Sequence, residues 1–215
     1  MNGRARTAAM AAFTLIELLI VIAIVGALAA AFLPDLLSAK ESANESATLA
    51  RLTALQSGCE KFQQKHHYYP PDDLQDPEKK LQFKSDNGTN TGIESLVAFL
   101  SQSEADGMGL GNLGNRLTNT DGDDNGAPLP LLSRHERMEV ADEWGTPLAY
   151  FSKTSTSGGF AKAQSIAIGP DQPPLIANAR KNAEGTPYGA RAFQLLSAGK
   201  DQIFGTDDDI SYPDN

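Results

Sequence analysis

Four carboxylates crowd the C-terminal end of the chain: Asp201, then Asp207, Asp208 and Asp209 just beyond Gly205. Acids this close repel one another, and an oxygen-rich loop carrying glycine is the kind of ligand set that a hard divalent cation such as calcium selects. A second acidic stretch, Asp121-Gly122-Asp123-Asp124-Asn125-Gly126, reproduces the first half of an EF-hand loop, with oxygen ligands at alternate positions and then a glycine for the turn. Its twelfth position is Leu132, where such a loop needs a bidentate glutamate. The stretch therefore reads as a solvated turn built from ordinary Asp and Gly residues.

A further acid stands alone. Glu17 interrupts FTLIELLIVIAIVGALAAAFLP, a run in which Thr14 is the only other polar side chain before Pro34. An ionised carboxylate costs on the order of 2.5 kcal/mol or more at a bilayer centre and less near the interface, so an acid in an apolar span is by default functional. His66 and His67 form the remaining pair of metal-ligand type, with only His135 elsewhere. At the end of a helix they complement its dipole, which favours a structural or surface role. Cys59, the single cysteine, rules out an internal disulfide and reads as core filler. No nucleophile elbow, phosphate loop or histidine with a paired acid occurs at interpretable spacing, so no enzymatic site is expected.

The elements that must carry these residues follow from hydropathy. Phe13 to Leu33 provides about 20 apolar residues, roughly 30 Å of helix, enough to span a bilayer. Arg4 and Arg6 precede the span and no positive charge follows it closely, which places the N-terminus in the cytoplasm and the rest outside. From Asp35 to about Lys65 the chain favours helix. Leu52, Leu55, Cys59 and Phe62 recur at i, i+3, i+7 and i+10, one apolar stripe expected to dock on a globular part while Lys40, Glu41, Glu45, Glu60 and Lys61 stay solvated. Tyr69-Pro70-Pro71 ends the helix.

Beyond it, Ile93 to Leu100 is a short helical candidate. Gly107, Gly109, Gly111 and Gly114 mark a loop. Strands are expected at Pro147 to Lys153, Gln164 to Ile168 and Ala192 to Leu196. Consecutive strands without intervening helices predict a small antiparallel sheet, one face of which the N-terminal helix could cover: an α+β fold. The divisions are 1–12, 13–34, 35–66 and 67–215, with a polar loop region at 75–140. A formal charge of −9, from 18 Lys and Arg against 27 Asp and Glu, argues against nucleic acid as a partner.

Phe13-Thr14-Leu15-Ile16-Glu17-Leu18-Leu19-Ile20-Val21 resembles the N-methylation motif of type IV pilins and type II secretion pseudopilins. The resemblance implies cleavage by prepilin peptidase between Ala12 and Phe13, with methylation of the new Phe13 amine. Residues 1–12 would then be a leader, and Pro34 falls where that family commonly places a helix-kinking proline. Ala12 departs from the family's usual glycine before the cut. The amine of Phe13 and the carboxylate of Glu17, one helical turn away, could pair between neighbouring subunits and set the register of a fibre, offsetting the desolvation of both. Two rival readings of the same segment are a plain signal-anchor and a secretory signal peptide cut at Ala27-Leu28-Ala29 or Ala29-Ala30-Ala31.

Asp142-Glu143-Trp144-Gly145-Thr146-Pro147-Leu148-Ala149-Tyr150 resembles the D-x-W-G-x-P-x-x-Y region of the type II secretion major pseudopilin, and is equally a turn with a buried tryptophan opening a strand. Ser197-Ala198-Gly199-Lys200-Asp201, followed by Asp207-Asp208-Asp209-Ile210, is similar to that family's calcium loop. On this resemblance Asp201, Asp207 and Asp209 are the expected calcium ligands, with Asp208 as alternate and backbone carbonyls completing the shell. The stretch from about Gln75 to Val140 has no clear counterpart there.

The expectation is a structural subunit that is anchored in the inner membrane by one helix, with its C-terminal domain in the periplasm. By the resemblance it would polymerise with copies of itself and other pseudopilins on an inner-membrane assembly platform, in contact with membrane lipid, into the periplasmic fibre of a type II secretion pseudopilus for protein secretion. The alternatives are a type IV pilus subunit for adhesion, motility or DNA uptake and, from another class, a membrane-tethered or secreted periplasmic binding or enzyme domain.

Overall fold

A computed structural model of the chain describes residues 13–81, 83–84, 86–102, 110, 116–129, 134–156 and 158–213. The chain divides into two units, Met1–Ser42 and Ala43–Asn215. Helix α1, Leu15–His66, begins in the first and ends in the second, with Pro34 in its interior, where the missing N–H leaves one backbone hydrogen bond unmade.

In the first unit the apolar side chains face outward all round the helix: Leu15 is 82% exposed, and Ile16, Leu18, Leu19, Val25, Leu28, Phe32 and Leu37 are exposed too. Among the described residues one helix is long and apolar enough to cross a membrane, and it is this one.

In the second unit the predicted stripe is the buried face. Leu52, Leu55, Cys59 and Phe62 enter the main core together with Ile93, Leu96, Val97, Leu100, Val140, Tyr150, Phe193 and Leu195, while Glu60 and Lys61 stay exposed. Leu, Ile and Phe at these positions each contribute about 1.5–3 kcal/mol by leaving water. The helix stops at His66, and His67 takes φ 66° with its N–H donating to the Gln63 carbonyl at 2.7 Å, a left-handed cap in which histidine stands where glycine is usual. The His66 ring stacks on Phe62 at 4.2 Å.

Helix α2, Thr91–Ser101, matches the expected candidate and extends it by two residues at its start and one at its end. Among the described residues nine short strands follow: β1 Leu117–Thr118, β2 Asp124–Leu129, β3 Arg134–Glu136, β4 Glu139–Val140, β5 Ala149–Ser152, β6 Gln164–Ile166, β7 Leu175–Ala177, β8 Phe193–Ser197 and β9 Ile210–Tyr212. All pair antiparallel, but in four small sheets and not one: β1–β4, β2–β3, β6–β7, and a three-stranded sheet in the order β5–β8–β9. The fold is α+β. Strand β6 was expected beside β5 and β8, yet it forms its own hairpin with β7, Gln164 opposite Ala177 and Ile166 opposite Leu175.

The three-stranded sheet is apolar on both faces, as the alternation of side chains along a strand requires. Tyr150, Phe193 and Leu195 face the core that receives α1, whereas Ala149, Phe151 and Leu196 face a second cluster with Ile166 and Ala177. The Tyr150 hydroxyl donates to the Pro70 carbonyl at 2.7 Å, fixing the chain where it leaves α1.

Candidate functional site

At the start of α1, Thr14 and Glu17 hold each other. Glu17 Oε2 accepts hydrogen bonds from the Thr14 amide (2.9 Å) and the Thr14 hydroxyl (2.7 Å), and the Glu17 amide donates to Thr14 Oγ1 at 3.2 Å. This is a capping box, a reciprocal arrangement that satisfies otherwise orphaned donors at a helix start. Threonine followed three residues later by glutamate is a readable signal for it in the sequence, and the reading of Glu17 as an assembly residue passed over it. Phe13, just before the cap, is 76% exposed. Ala12 lies outside the described residues.

The two C-terminal motifs meet in space. Asp142 is buried; its Oδ1 accepts the amides of Trp144 (3.0 Å) and Thr146 (2.9 Å), closing a turn in which Gly145 has φ 94°. Its Oδ2 accepts the Ser197 hydroxyl at 2.7 Å, and Gln202 Nε2 donates to the Trp144 carbonyl at 2.8 Å. Strand pairing of Ala149 with Leu196 and of Tyr150 with Leu195 continues the same junction. Burial pushes the Asp142 carboxyl upward in pKa, against the Ser197 hydroxyl and the backbone amides that favour its charged form. Trp144 is half-buried, more open than the buried tryptophan expected from the sequence.

The acidic turn hangs from this junction. Asp208 Oδ2 accepts the Asp201 amide at 2.9 Å and Asp208 Oδ1 accepts the Thr206 hydroxyl at 2.6 Å, which together hold its carboxyl below the usual range. Asp201 Oδ1 accepts the Ile203 amide and Asp209 Oδ2 the Gly205 amide, each at 2.8 Å. Gly199 sits at φ 64°, and a Cβ there would fall 2.2 Å from the Asp208 carbonyl, so only glycine lets the two arms of the turn close.

The donor set is all oxygen, and Asp209 Oδ1 is a buried acceptor without a hydrogen bond. That orphaned atom fits a cation better than it fits a closed polar network. Asp201, Asp207 and Asp208 are exposed and Asp209 is half-buried.

A second acidic grouping lies elsewhere, and it joins part of the half EF-hand stretch to glutamates that the sequence did not mark. Among the described residues, three carboxylates with an oxygen each within 4.8 Å of the others occur as Asp86, Glu94 and Asp123, and as Glu94, Asp121 and Glu139. The half EF-hand stretch is thus not a plain solvated turn: two of its acids converge on the buried Glu94. Cys59 is core as expected, its thiol pushed up in pKa by burial. Burial lowers the pKa of His66, and neither His66 nor His67 joins these acidic groups.

The described residues thus give a membrane-length apolar helix that starts at a Thr-x-x-Glu cap, and a small α+β unit with an acidic C-terminal turn. The chain is similar to the type II secretion system core protein G of Escherichia coli (strain K12), with 32% identity over 85 residues, or 40% of this chain and 47% of that protein. It therefore spans about half the length of that curated relative. The pseudopilin resemblance first read at Phe13 to Val21 is upheld by this similarity. No family model matches the chain, and no solved structure matches it.

Proposed function

We propose that the chain is a structural subunit of a type II secretion pseudopilus, assembling through Phe13 to about Lys65 into a periplasmic fibre for protein secretion. The observation that carries this reading is the similarity to core protein G, joined to a helix whose apolar side chains are exposed all round in the single chain. Such a helix needs either lipid or neighbouring helices to cover it, and a subunit that leaves the membrane for a fibre exchanges one cover for the other. Cleavage between Ala12 and Phe13 by prepilin peptidase would create an amine beside Glu17. The capping box shields the Glu17 charge while the subunit is in the membrane; in the fibre the amine of a neighbouring Phe13 takes over that task. Before assembly the subunit crosses the inner membrane once, N-terminus cytoplasmic and C-terminal domain periplasmic, and docks on the assembly platform with other pseudopilins.

The C-terminal turn is proposed to hold calcium through Asp201, Asp207 and Asp209, with Asp208 beside them. The orphaned Asp209 oxygen and the all-oxygen donor set support this. Calcium there would tie the last turn to the Asp142–Ser197 junction and so protect the domain's C-terminal edge.

Mass spectrometry of the N-terminal peptide, recovered from membranes of cells producing the protein, tests the assignment. The expected peptide begins with N-methylated Phe13. An N-terminus created after Ala29 or Ala31, or an uncut chain, would overturn it.

A further inference from the structure

Glu94, in the first turn of α2, has a side chain with no solvent exposure, and neither of its carboxylate oxygens accepts a hydrogen bond. Four more carboxyls converge on it. Asp86 and Asp123 approach from one group and Asp121 and Glu139 from the other, each group with its oxygens within 4.8 Å of one another. Two oxygens bound to one cation at about 2.4 Å lie at most about 4.8 Å apart, so the spacing is that of a coordination shell.

Arg137 is the cation present. Its Nη1 lies 2.9 Å from Asp86 Oδ1, 3.4 Å from Asp123 Oδ2 and 3.8 Å from Glu94 Oε2, and its Nη2 donates to the Lys84 carbonyl. One positive charge thus serves three of the five acids. Asp121 and Glu139 take their hydrogen bonds from neutral groups: Asn87 Nδ2 to Asp121 Oδ2 at 3.0 Å, Asn90 Nδ2 to Glu139 Oε1 at 2.8 Å and the Thr120 amide to Glu139 Oε1 at 3.1 Å. Without a further cation, burial and mutual repulsion push Glu94 to about 11 and both Asp123 and Glu139 to about 7, although Arg137 opposes the shift at Asp123 and the donors from Thr120 and Asn90 oppose it at Glu139. Buried carboxylate oxygens without donors, as at Glu94 and Asp123, are suited to coordinating a cation.

We propose that Glu94, Asp121 and Glu139, flanked by Asp123 and Asp86, form a calcium site separate from the C-terminal turn. The ligands are all hard oxygens, with no histidine or cysteine to favour a transition metal. The site also accounts for the incomplete EF-hand stretch. Asp121 to Gly126 supplies the oxygen-rich turn but has Leu132 at its twelfth position, and the missing carboxylate comes from outside the loop, from Glu94 on α2 and Glu139 on β4. Asn90, with φ 56°, holds the geometry: its side chain bonds Thr120 Oγ1 and Glu139 Oε1, each at 2.8 Å, and the Ala167 amide at 2.9 Å. Occupied, the site would fasten the start of α2, the turn after β1 and β4 to one ion.

The test is calcium titration by calorimetry on the detergent-solubilised full chain after chelator treatment, comparing wild type with Glu94→Gln, Asp121→Asn and Asp209→Asn. Glu94→Gln and Asp121→Asn should each remove one calcium equivalent or weaken it at least tenfold, and Asp209→Asn should leave that equivalent in place. In chelator, burial keeps the Glu94 carboxyl protonated, so Glu94→Gln exchanges one neutral group for another of the same shape and its melting temperature should stay near that of wild type. Wild-type calcium binding in both Glu94→Gln and Asp121→Asn would overturn the proposal, as would complete loss of binding in Asp209→Asn. Should Glu94→Gln fail to fold, Asp121→Asn, on a half-exposed turn, decides alone. Failure of the C-terminal reading would show separately, as calcium binding unaffected by Asp209→Asn.

Discussion

The Asp142 carboxylate accepts the Ser197 hydroxyl at 2.7 Å across 55 positions of sequence, a side-chain bond between the turn opening β5 and the strand leading into the acidic loop. With the other carboxylate oxygen holding the Trp144 and Thr146 amides, Asp142 acts as an internal clamp. Asp142→Ala should cost about 2–4 kcal/mol, because it strands several buried donors, and Ser197→Ala about 1 kcal/mol. Thermal unfolding of the two variants and the double variant measures this. The double variant should be destabilised by less than the sum of the two singles.

Arg51 makes the corresponding link from α1. It is ion-paired with Glu143 and its Nη1 donates to the Ala141 carbonyl at 2.6 Å, while Arg116 reaches the other Glu143 oxygen at 2.7 Å. Arg51→Met should destabilise by about 3 kcal/mol, near the low end for breaking a buried pair because Arg116 still neutralises Glu143. Arg51→Lys should not restore stability, since an ammonium cannot reach both acceptors as a guanidinium does. Denaturant unfolding of the two variants checks both statements.

Asp72 gives a pH dependence of known sign. Burial raises its carboxyl from 3.8 to about 6, against the pull of the Ser152 amide hydrogen bond at 2.9 Å. The folded chain then binds more protons than the unfolded one between about pH 4 and pH 6, so this group's contribution is fully present below the unfolded pKa and is lost as pH rises through the folded one. Asp72→Asn should match wild type at pH 4 and exceed it by about 1–3 kcal/mol at pH 8, at about 1.4 kcal/mol per pKa unit. Melting curves at the two pH values test it, and a variant that gains nothing at pH 8 would contradict it.

The helical parts were legible because their apolar spacing repeats: Leu52, Leu55, Cys59 and Phe62 on α1, and Ile93, Leu96, Val97 and Leu100 on α2, lie in the core as the periodicity requires. Strands β5 and β8 were legible from short apolar runs between turn residues. Strand β9 was not, since Ile210-Ser211-Tyr212 follows three acids and becomes a strand only by pairing with β8, Leu195 opposite Tyr212. The sheet was expected whole because sequence neighbours usually pair, whereas Gln164 to Ile166 finds its partner in a hairpin of its own. The convergence of acids on Glu94 was invisible for a different reason. Glu94 and Glu139 stand 45 positions apart, and nothing local marks a glutamate on the polar side of a short helix as buried.

Glu17 is proposed to serve assembly as well as the start of its helix. The capping box makes these roles separable, because Thr14→Ala removes the cap and leaves the carboxylate, at a cost of about 1 kcal/mol to the helix end. Electron microscopy of fibres sheared from cells overproducing the protein with a type II secretion assembly system measures the outcome. Wild type and Thr14→Ala should form fibres, while Glu17→Leu should reach the membrane in normal amount and form none. Fibres from Glu17→Leu at the wild-type level would contradict an assembly role for Glu17.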